Sequence, residues 1–317
     1  MCIRDSHFEF QAAQRLAHNR IEEACEQSEG QQWFMLIDKM DQAKTVCPSI
    51  WTHLCTTVFA DKEKRLITGL IGSMWFGTRH IQHHVRTVFK DCVHGSSMQS
   101  NAILQNLHQA AMREGHLPKT FTIGAANTLK ETKNQLTCWF IAWLLCALEG
   151  TPLWNIDVAF LLVGHTHNKL DRMFSRIAVA LRGRDYFTVI GMLKIVQDIL
   201  ASELHDGHLA QVWDFKGLLA DPELPCSDRG MHNLDPVHAF RFTRSDGICM
   251  QWKQWCTDES WSRPIKLLAP HEIPAVAAWR PAQLPMEFKN GGKRSWTGST
   301  ILKCGAQRSR DAPHTRA

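Results

Sequence analysis

The sequence predicts an α/β domain that opens with three antiparallel strands and continues with alternating helices and strands. Three observations carry that expectation. Short apolar runs at Trp33–Asp38 and Leu66–Phe76 have strand length, and Val158–Val163 is a continuous apolar run of the kind found in a strand covered on both faces. Between them, Ile103, Leu104, Leu107, Ala110 and Ala111 recur at helical spacing.

Taken in order, His7–Ser28 is polar and helix-prone, with Gly30 closing it. Trp33–Asp38 is apolar and ends in an acid, which suits a central strand. Cys55–Ala60 is a second candidate strand. Leu66–Phe76 is the third, with Gly69, Gly72 and Gly77 read as breakers. A helix follows over Gln99–Glu114, with Ser100 as N-cap and Gly115 as terminator. Phe121–Ile123 reads as a strand, and a buried helix spans about Glu131–Leu148, stopped by Gly150 and Pro152. After the Val158–Val163 strand comes a helix over about Asn168–Leu181, striped by Leu170, Met173, Phe174 and Ile177. Thr188–Leu204 and Val212–Leu219 extend the helical part. A hairpin is expected where Ala239–Phe242 and Ile248–Met250 flank Ser245-Asp246-Gly247.

Composition excludes several classes. The 317 residues are 44% hydrophobic and 21% charged, which argues against disorder and against a membrane protein. The longest apolar stretch, Leu136–Leu148, is shorter than the roughly 20 residues needed to span a bilayer. Eleven cysteines, without a C-x-x-C pair or a secretory segment, point to reduced thiols and an intracellular protein, nuclear if the source is eukaryotic. No phosphate-binding loop or dinucleotide fingerprint is present. The net charge of +5 is concentrated in Met286–Ala317, which holds seven lysines and arginines against two acids and is expected to be a flexible tail.

The first six residues, Met1 to Ser6, resemble a translated transposase-library adapter, so the natural start is expected upstream. The expected organisation is then an adapter-derived scar over 1–6, a helical remnant over 7–29, a core over 30–185, a helical and hairpin extension over 186–285, and the basic tail over 286–317.

Three strands followed by helix, strand, helix, strand, helix is the element order of the ribonuclease-H-like fold. In nucleases and transposases that resemble this plan, carboxylates from the first strand, from just after the fourth strand and from the last helix hold two hard cations. The corresponding positions here supply Asp38, with Asp41 three residues on, and Asp171, with Arg172 and Arg176 alongside for phosphate contacts. The fourth-strand position, Gly124 to Thr128, has no acid.

Three segments carry a closer resemblance: 37–42 (I-D-K-M-D-Q), 127–134 (N-T-L-K-E-T-K-N) and 160–175 (F-L-L-V-G-H-T-H-N-K-L-D-R-M-F-S). They resemble an uncharacterised transposon-derived domain family with signatures D-G-M-D-Q, D-N-T-x-x-E-N-K-N and F-L-x-V-G-H-T-H-E-D-x-D-Q-x-F-S. The resemblance runs over roughly 34–255. It implies a ribonuclease-H-like DNA transposase or integrase, with Mg2+ or Mn2+ held by Asp38 and Asp171, and DNA as partner. Asn127, Glu131, Lys133, Asn134, His165, His167, Arg172 and Ser175 are then the residues expected to support the site or contact DNA, and a homo-oligomer is compatible with it.

Departures from the signatures bear on activity. Ala126 stands where the family has Asp, Thr132 where it has Asn, and Asn168-Lys169 where it has Glu-Asp. Lys39 and Arg172 replace Gly and Gln. Losing the middle carboxylate removes a metal-bridging ligand, and a nearby Lys169 disfavours a bound cation. The expectation is therefore a degenerate transposase, and the alternative is a catalytically silent DNA-binding or interaction protein derived from a mobile element.

Other constellations are weaker. Gly164-His165-Thr166-His167 also resembles the last motif of binuclear metallophosphoesterases, but the earlier ligand segments of such a site are missing. His80, His83, His84, Cys92 and His94 are zinc-type ligands, yet Cys92-Val93-His94 is too tight for an ordinary ligand pair. Trp252, Lys253, Trp255, Trp261 and Arg263 interleave rings and cations as single-strand stacking platforms do, although tryptophans beside a hairpin more often pack as core.

Overall fold

The computed structural model describes residues 3–40, 45–47, 49, 66–80, 83–89, 96–126, 132–161, 169–200, 204–208, 212–226, 231, 234 and 236–284. The elements are α1 (Ile3–Gln27), β1 (Gln32–Lys39), β2 (Val46–Cys47), β3 (Leu66–Phe76), β4 (His83–Phe89), α2 (Ser96–Glu114), β5 (Thr120–Ala126), α3 (Gln135–Ala147), β6 (Asn155–Leu161), α4 (Lys169–Arg182) and α5 (Val189–Leu200). They continue with β7 (Leu204–His208), β8 (Val212–Asp214), α6 (Gly217–Ala220), β9 (Ala239–Ser245), β10 (Gly247–Lys253), β11 (Ile265–Leu268), α7 (Ile273–Ala278) and β12 (Ala282–Leu284).

One mixed sheet of ten strands organises the chain, in the order β11-β10-β9-β6-β5-β1-β3-β4-β7, with β2 also paired to β3. β1 is central: it runs antiparallel to β3 and parallel to β5. β3–β4 is antiparallel and β5–β6 parallel. β8 and β12 form a separate pair.

Strand alternation sends successive β1 side chains to opposite faces. Trp33, Met35 and Ile37 enter one cluster with α2 and α3, while Phe34 and Leu36 enter another with α4 and α5. The sheet is thus covered on both faces, which explains why β1 is buried from Trp33 to Ile37. α3 is buried almost all round, with Trp139, Phe140 and Ile141 at 0% exposure. Each such side chain contributes roughly 1.5–3 kcal/mol by leaving water.

Several expectations change. The third strand of the antiparallel unit is β4, and the candidate strand Cys55–Ala60 lies outside the described residues. β4 was hidden because its inward positions are polar: His84 and Arg86 are buried, the latter held by Asn106, Gln105 and Gln109 of α2. β3 runs through Gly69 and Gly72, and only Gly77, at φ +81°, ends it. α2 starts at Ser96, so Ser100 is a buried helix residue rather than the cap. α3 starts at Gln135 with Asn134 as its N-cap, four residues later than expected. Val212–Leu219 is not one helix but β8 followed by the single turn α6, and the helix expected to reach Leu204 stops at Leu200 before β7. The hairpin is as expected. Its turn closes on Gly247 at φ +97°, where a Cβ would lie 2.0 Å from the Leu268 carbonyl oxygen.

That hairpin joins the same sheet, because β9 pairs antiparallel with β6. Asp157 and Arg241 face each other across the pairing, and the guanidinium donates from Nε at 2.9 Å and from Nη2 at 2.7 Å to the two carboxylate oxygens. The bond to Asp157 raises the Arg241 pKa. The tail from 285 onward lies outside the described residues, and no helix among the described residues is long and apolar enough to cross a membrane.

Candidate functional site

The parallel register of β1 and β5 pairs Leu36 with Gly124 and Ile37 with Ala125, so the next step along both strands brings Asp38 beside Ala126. Both lie on one face of the sheet. A Cβ on Gly124 would meet Leu36 at 2.5 Å and Phe34 at 2.8 Å, which places the even positions of β5 on the face of Phe34 and Leu36. By alternation Asp38 and Ala126 share it. Asp38 is half-buried, and its Oδ1 accepts from the Lys39 backbone N–H at 2.7 Å.

Across the other edge of β1, Asp38 pairs with Gly72. A Cβ there would lie 2.8 Å from Met173 and from the Phe174 ring, so α4 sits directly on this glycine. The glycine lets the helix approach the central strands at the Asp38 position. α4 buries Leu170, Met173, Phe174 and Ile177 beneath it. At about 100° per residue, Asp171 and Ser175 fall on one flank of that stripe and Lys169, Arg172 and Arg176 on the other. Asp171 is half-buried in the first turn, where a carboxylate suits the helix dipole.

Lys169 turns away from Asp171. Its Nζ donates to Glu22 Oε2 of α1 and lies 4.8 Å from the centroid of the Phe76 ring. Glu22 continues a buried polar row on α1, four residues on from His18, itself four on from Gln14. His18 packs 5.8 Å from the Phe34 ring, and burial pushes its pKa down to about 4. Nothing in the sequence marks this row as internal, because the same i, i+4 spacing of polar residues is usual on a solvated face.

The other sequence-predicted residues divide into three groups. Asn134 is a structural cap: its side chain accepts from Thr137 N at 3.0 Å and donates to Ser96 Oγ at 2.5 Å. Lys133 is buried at 1% exposure, 5.8 Å from the Phe160 ring, and Thr132 donates to the Ala126 carbonyl. Arg172 and Ser175 are exposed on α4. Asp41, Asn127, Glu131, His165 and His167 lie outside the described residues, as do Cys92 and His94.

The rival constellations fare as packing. His84 is buried with its ring 6.2 Å from Trp75, while His83 next to it points to the other face. Trp255 stacks on His238 at 4.5 Å, and Trp261 lies between Arg241 at 4.5 Å and Lys253 at 4.7 Å. Two of these tryptophans are therefore engaged within the protein, and Trp252 is 40% exposed.

Among the described residues, this face of the sheet carries Asp38 on β1 with Ala126 beside it on β5, and α4, which bears Asp171, packs on the Gly72 side of Asp38. No group of three or more His, Cys, Asp or Glu side chains among the described residues could hold a metal ion. This donor set does not fit a three-carboxylate, two-metal centre.

Mixed α/β architecture with a doubly covered sheet and a half-buried acid on its central strand defines the class. The chain belongs to the family described as a domain of unknown function (DUF7869), whose pattern matches residues 60–258. The matched span opens just before β3 and closes just after β10, so it contains Ala126 and Asp171 while Asp38 precedes it. No curated protein and no solved structure is matched.

Proposed function

We propose that the chain is a ribonuclease-H-like core of transposase or integrase descent that binds DNA and has lost most or all of its phosphoryl-transfer activity. The strand order β4-β3-β1-β5-β6, antiparallel in its first three members and parallel in its last three, supports the fold. The observation that carries the reading is the placement of Asp38 in register beside Ala126, under a helix bearing Asp171. A carboxylate at 126 would join the other two on one face; alanine leaves that place without an oxygen ligand. Divalent metal, where the set is complete, serves such sites by stabilising the attacking and leaving oxygens of a phosphodiester.

The silent alternative, a DNA-binding or interaction protein, is favoured by the same Ala126 and by Lys169, whose place in the transposon-derived signature is acidic. Nicking of plasmid DNA in Mg2+ and in Mn2+ separates the two. The wild type is expected to be inert or nearly so, and Ala126→Asp to gain metal-dependent cleavage. Robust wild-type cleavage would refute the loss of activity, and an inert but folded Ala126→Asp protein would count against the site.

A further inference from the structure

On the flank of α4 away from Asp171, a groove of about 530 Å3 opens between the β3–β4 edge and the α4–α5 pair. Met74 and His83 of the paired strands line it together with Lys169, Arg172 and Arg176 of α4 and Ile199 and Leu200 of α5. No carboxylate lines it among the described residues. The row of cations runs over the seven steps from Lys169 to Arg176, or roughly 10 Å at 1.5 Å per residue. A row of that length reaches consecutive phosphates of one nucleic-acid strand.

The three cations are not equivalent. Lys169 is committed to Glu22. Arg176 donates from Nη2 to the Ile199 carbonyl at 3.0 Å, an uncharged acceptor that fixes the guanidinium without cancelling its charge. Arg172 makes no hydrogen bond or ion pair among the described residues, and it is exposed. Two guanidinium groups at i, i+4 repel each other on a helix surface. An anion between them relieves that repulsion, and planar guanidinium forks match phosphate oxygens.

We infer that this groove is a phosphate site, occupied by the backbone of a nucleic-acid strand and separate from the Asp38 and Asp171 carboxylates. The inference rests on the DNA-binding reading above and extends it, because it places backbone contacts on the opposite flank of α4 from the candidate chemistry. Phosphate contacts from a row of cations fix the strand without carrying sequence information, so binding through this groove is sequence-independent.

The test is a salt titration of full-length protein binding to a labelled random-sequence duplex, with tripolyphosphate as a small competitor. Arg172→Gln is expected to reduce the steepness of log K against log salt by about 1, and Arg172→Gln with Arg176→Gln by about 2, with affinity at low salt falling roughly ten-fold or more. Tripolyphosphate should compete with DNA on the wild type and lose that effect in the double variant. Because Arg176 also braces Ile199, thermal melts check both proteins, and the single variant alone decides the outcome if the double one is unfolded. DNA affinity and salt slope unchanged in folded Arg172→Gln would overturn the groove while leaving DNA binding intact. Tripolyphosphate bound in the groove by a protein that ignores DNA would overturn the nucleic-acid assignment and the reading beneath it.

Discussion

Lys169 at the start of α4 pairs with Glu22 of α1, tying together two helices that cover the same face of the sheet. Glu22 has 9% of its side chain exposed and Lys169 43%, so the acid depends on the lysine more than the reverse. Lys169→Met is expected to lower stability by about 1–2 kcal/mol, discounted from a fully buried pair because the lysine is partly solvated. Adding Glu22→Gln should restore most of the loss. A double-mutant cycle by urea denaturation checks it, and strictly additive losses would show that the two side chains are uncoupled.

Gly72 sets how closely α4 approaches the central strands. Gly72→Ala places a methyl 2.8 Å from the stiff Phe174 ring and from Met173, which must move. A loss of about 1–3 kcal/mol is expected from overpacking. If Phe174→Leu is made in the same protein, the deficit should shrink. Thermal melts of the single and double variants measure it.

His18 makes stability depend on pH. Its pKa in the folded protein is lowered to about 4 from 6.5 by burial, so between those values the unfolded chain binds the extra proton. Stability contributed by neutral His18 is therefore complete above about pH 6.5, declines as pH falls toward 4, and is flat with respect to this group below that. The full difference is about 3 kcal/mol. His18→Leu should flatten that part of the profile, which denaturation midpoints across pH 4–7 would reveal. An unaltered slope would mean that His18 is not the group responsible.

Asp157 and Arg241 bind the hairpin to β6. Asp157→Asn keeps the shape but weakens a charge-assisted, two-point contact, and about 1–2 kcal/mol should be lost. The Arg241 guanidinium also stacks on Trp261, so the damage should spread along β9 and β10. Hydrogen exchange should show faster opening of residues 239–253 than of β1.

Buried thiols should be slow to react. Burial pushes Cys25, Cys138 and Cys146 up to about 12, whereas Cys249 on β10 is half-exposed. At pH 8, alkylation followed by mass spectrometry is expected to label Cys249 before any of those three. Equal rates would point to widespread opening rather than native reactivity.

Much of the architecture was legible in the sequence, and for physical reasons. Trp33–Asp38, the buried α3 stretch, the α4 stripe and the Ser245–Gly247 turn each carry one unambiguous periodicity or turn signal. β4 was not legible because Arg86 and His84 occupy inward positions, and an arginine is buried there only because α2 supplies three amide oxygens. Val212–Asp214 is too short to show a period at all. At the candidate site, Asp38 and Asp171 could be named from sequence, and so could the missing acid at 126. Their common face could not. It depends on the β1–β5 register, on Gly72 and on the direction in which Lys169 leaves the helix.

The junction of β6 with β9 has a consequence for how the chain reaches its folded state. β6 is synthesised about 80 residues before the strand that seals its outer edge, and throughout that interval a nascent chain displays an apolar strand with open backbone donors and acceptors. At the usual pace of translation, about 5–20 residues per second, the edge stays open for several seconds. A gene fragment cut near residue 185 would make that state permanent. Such a piece should aggregate, whereas one carried through β11 should stay in solution.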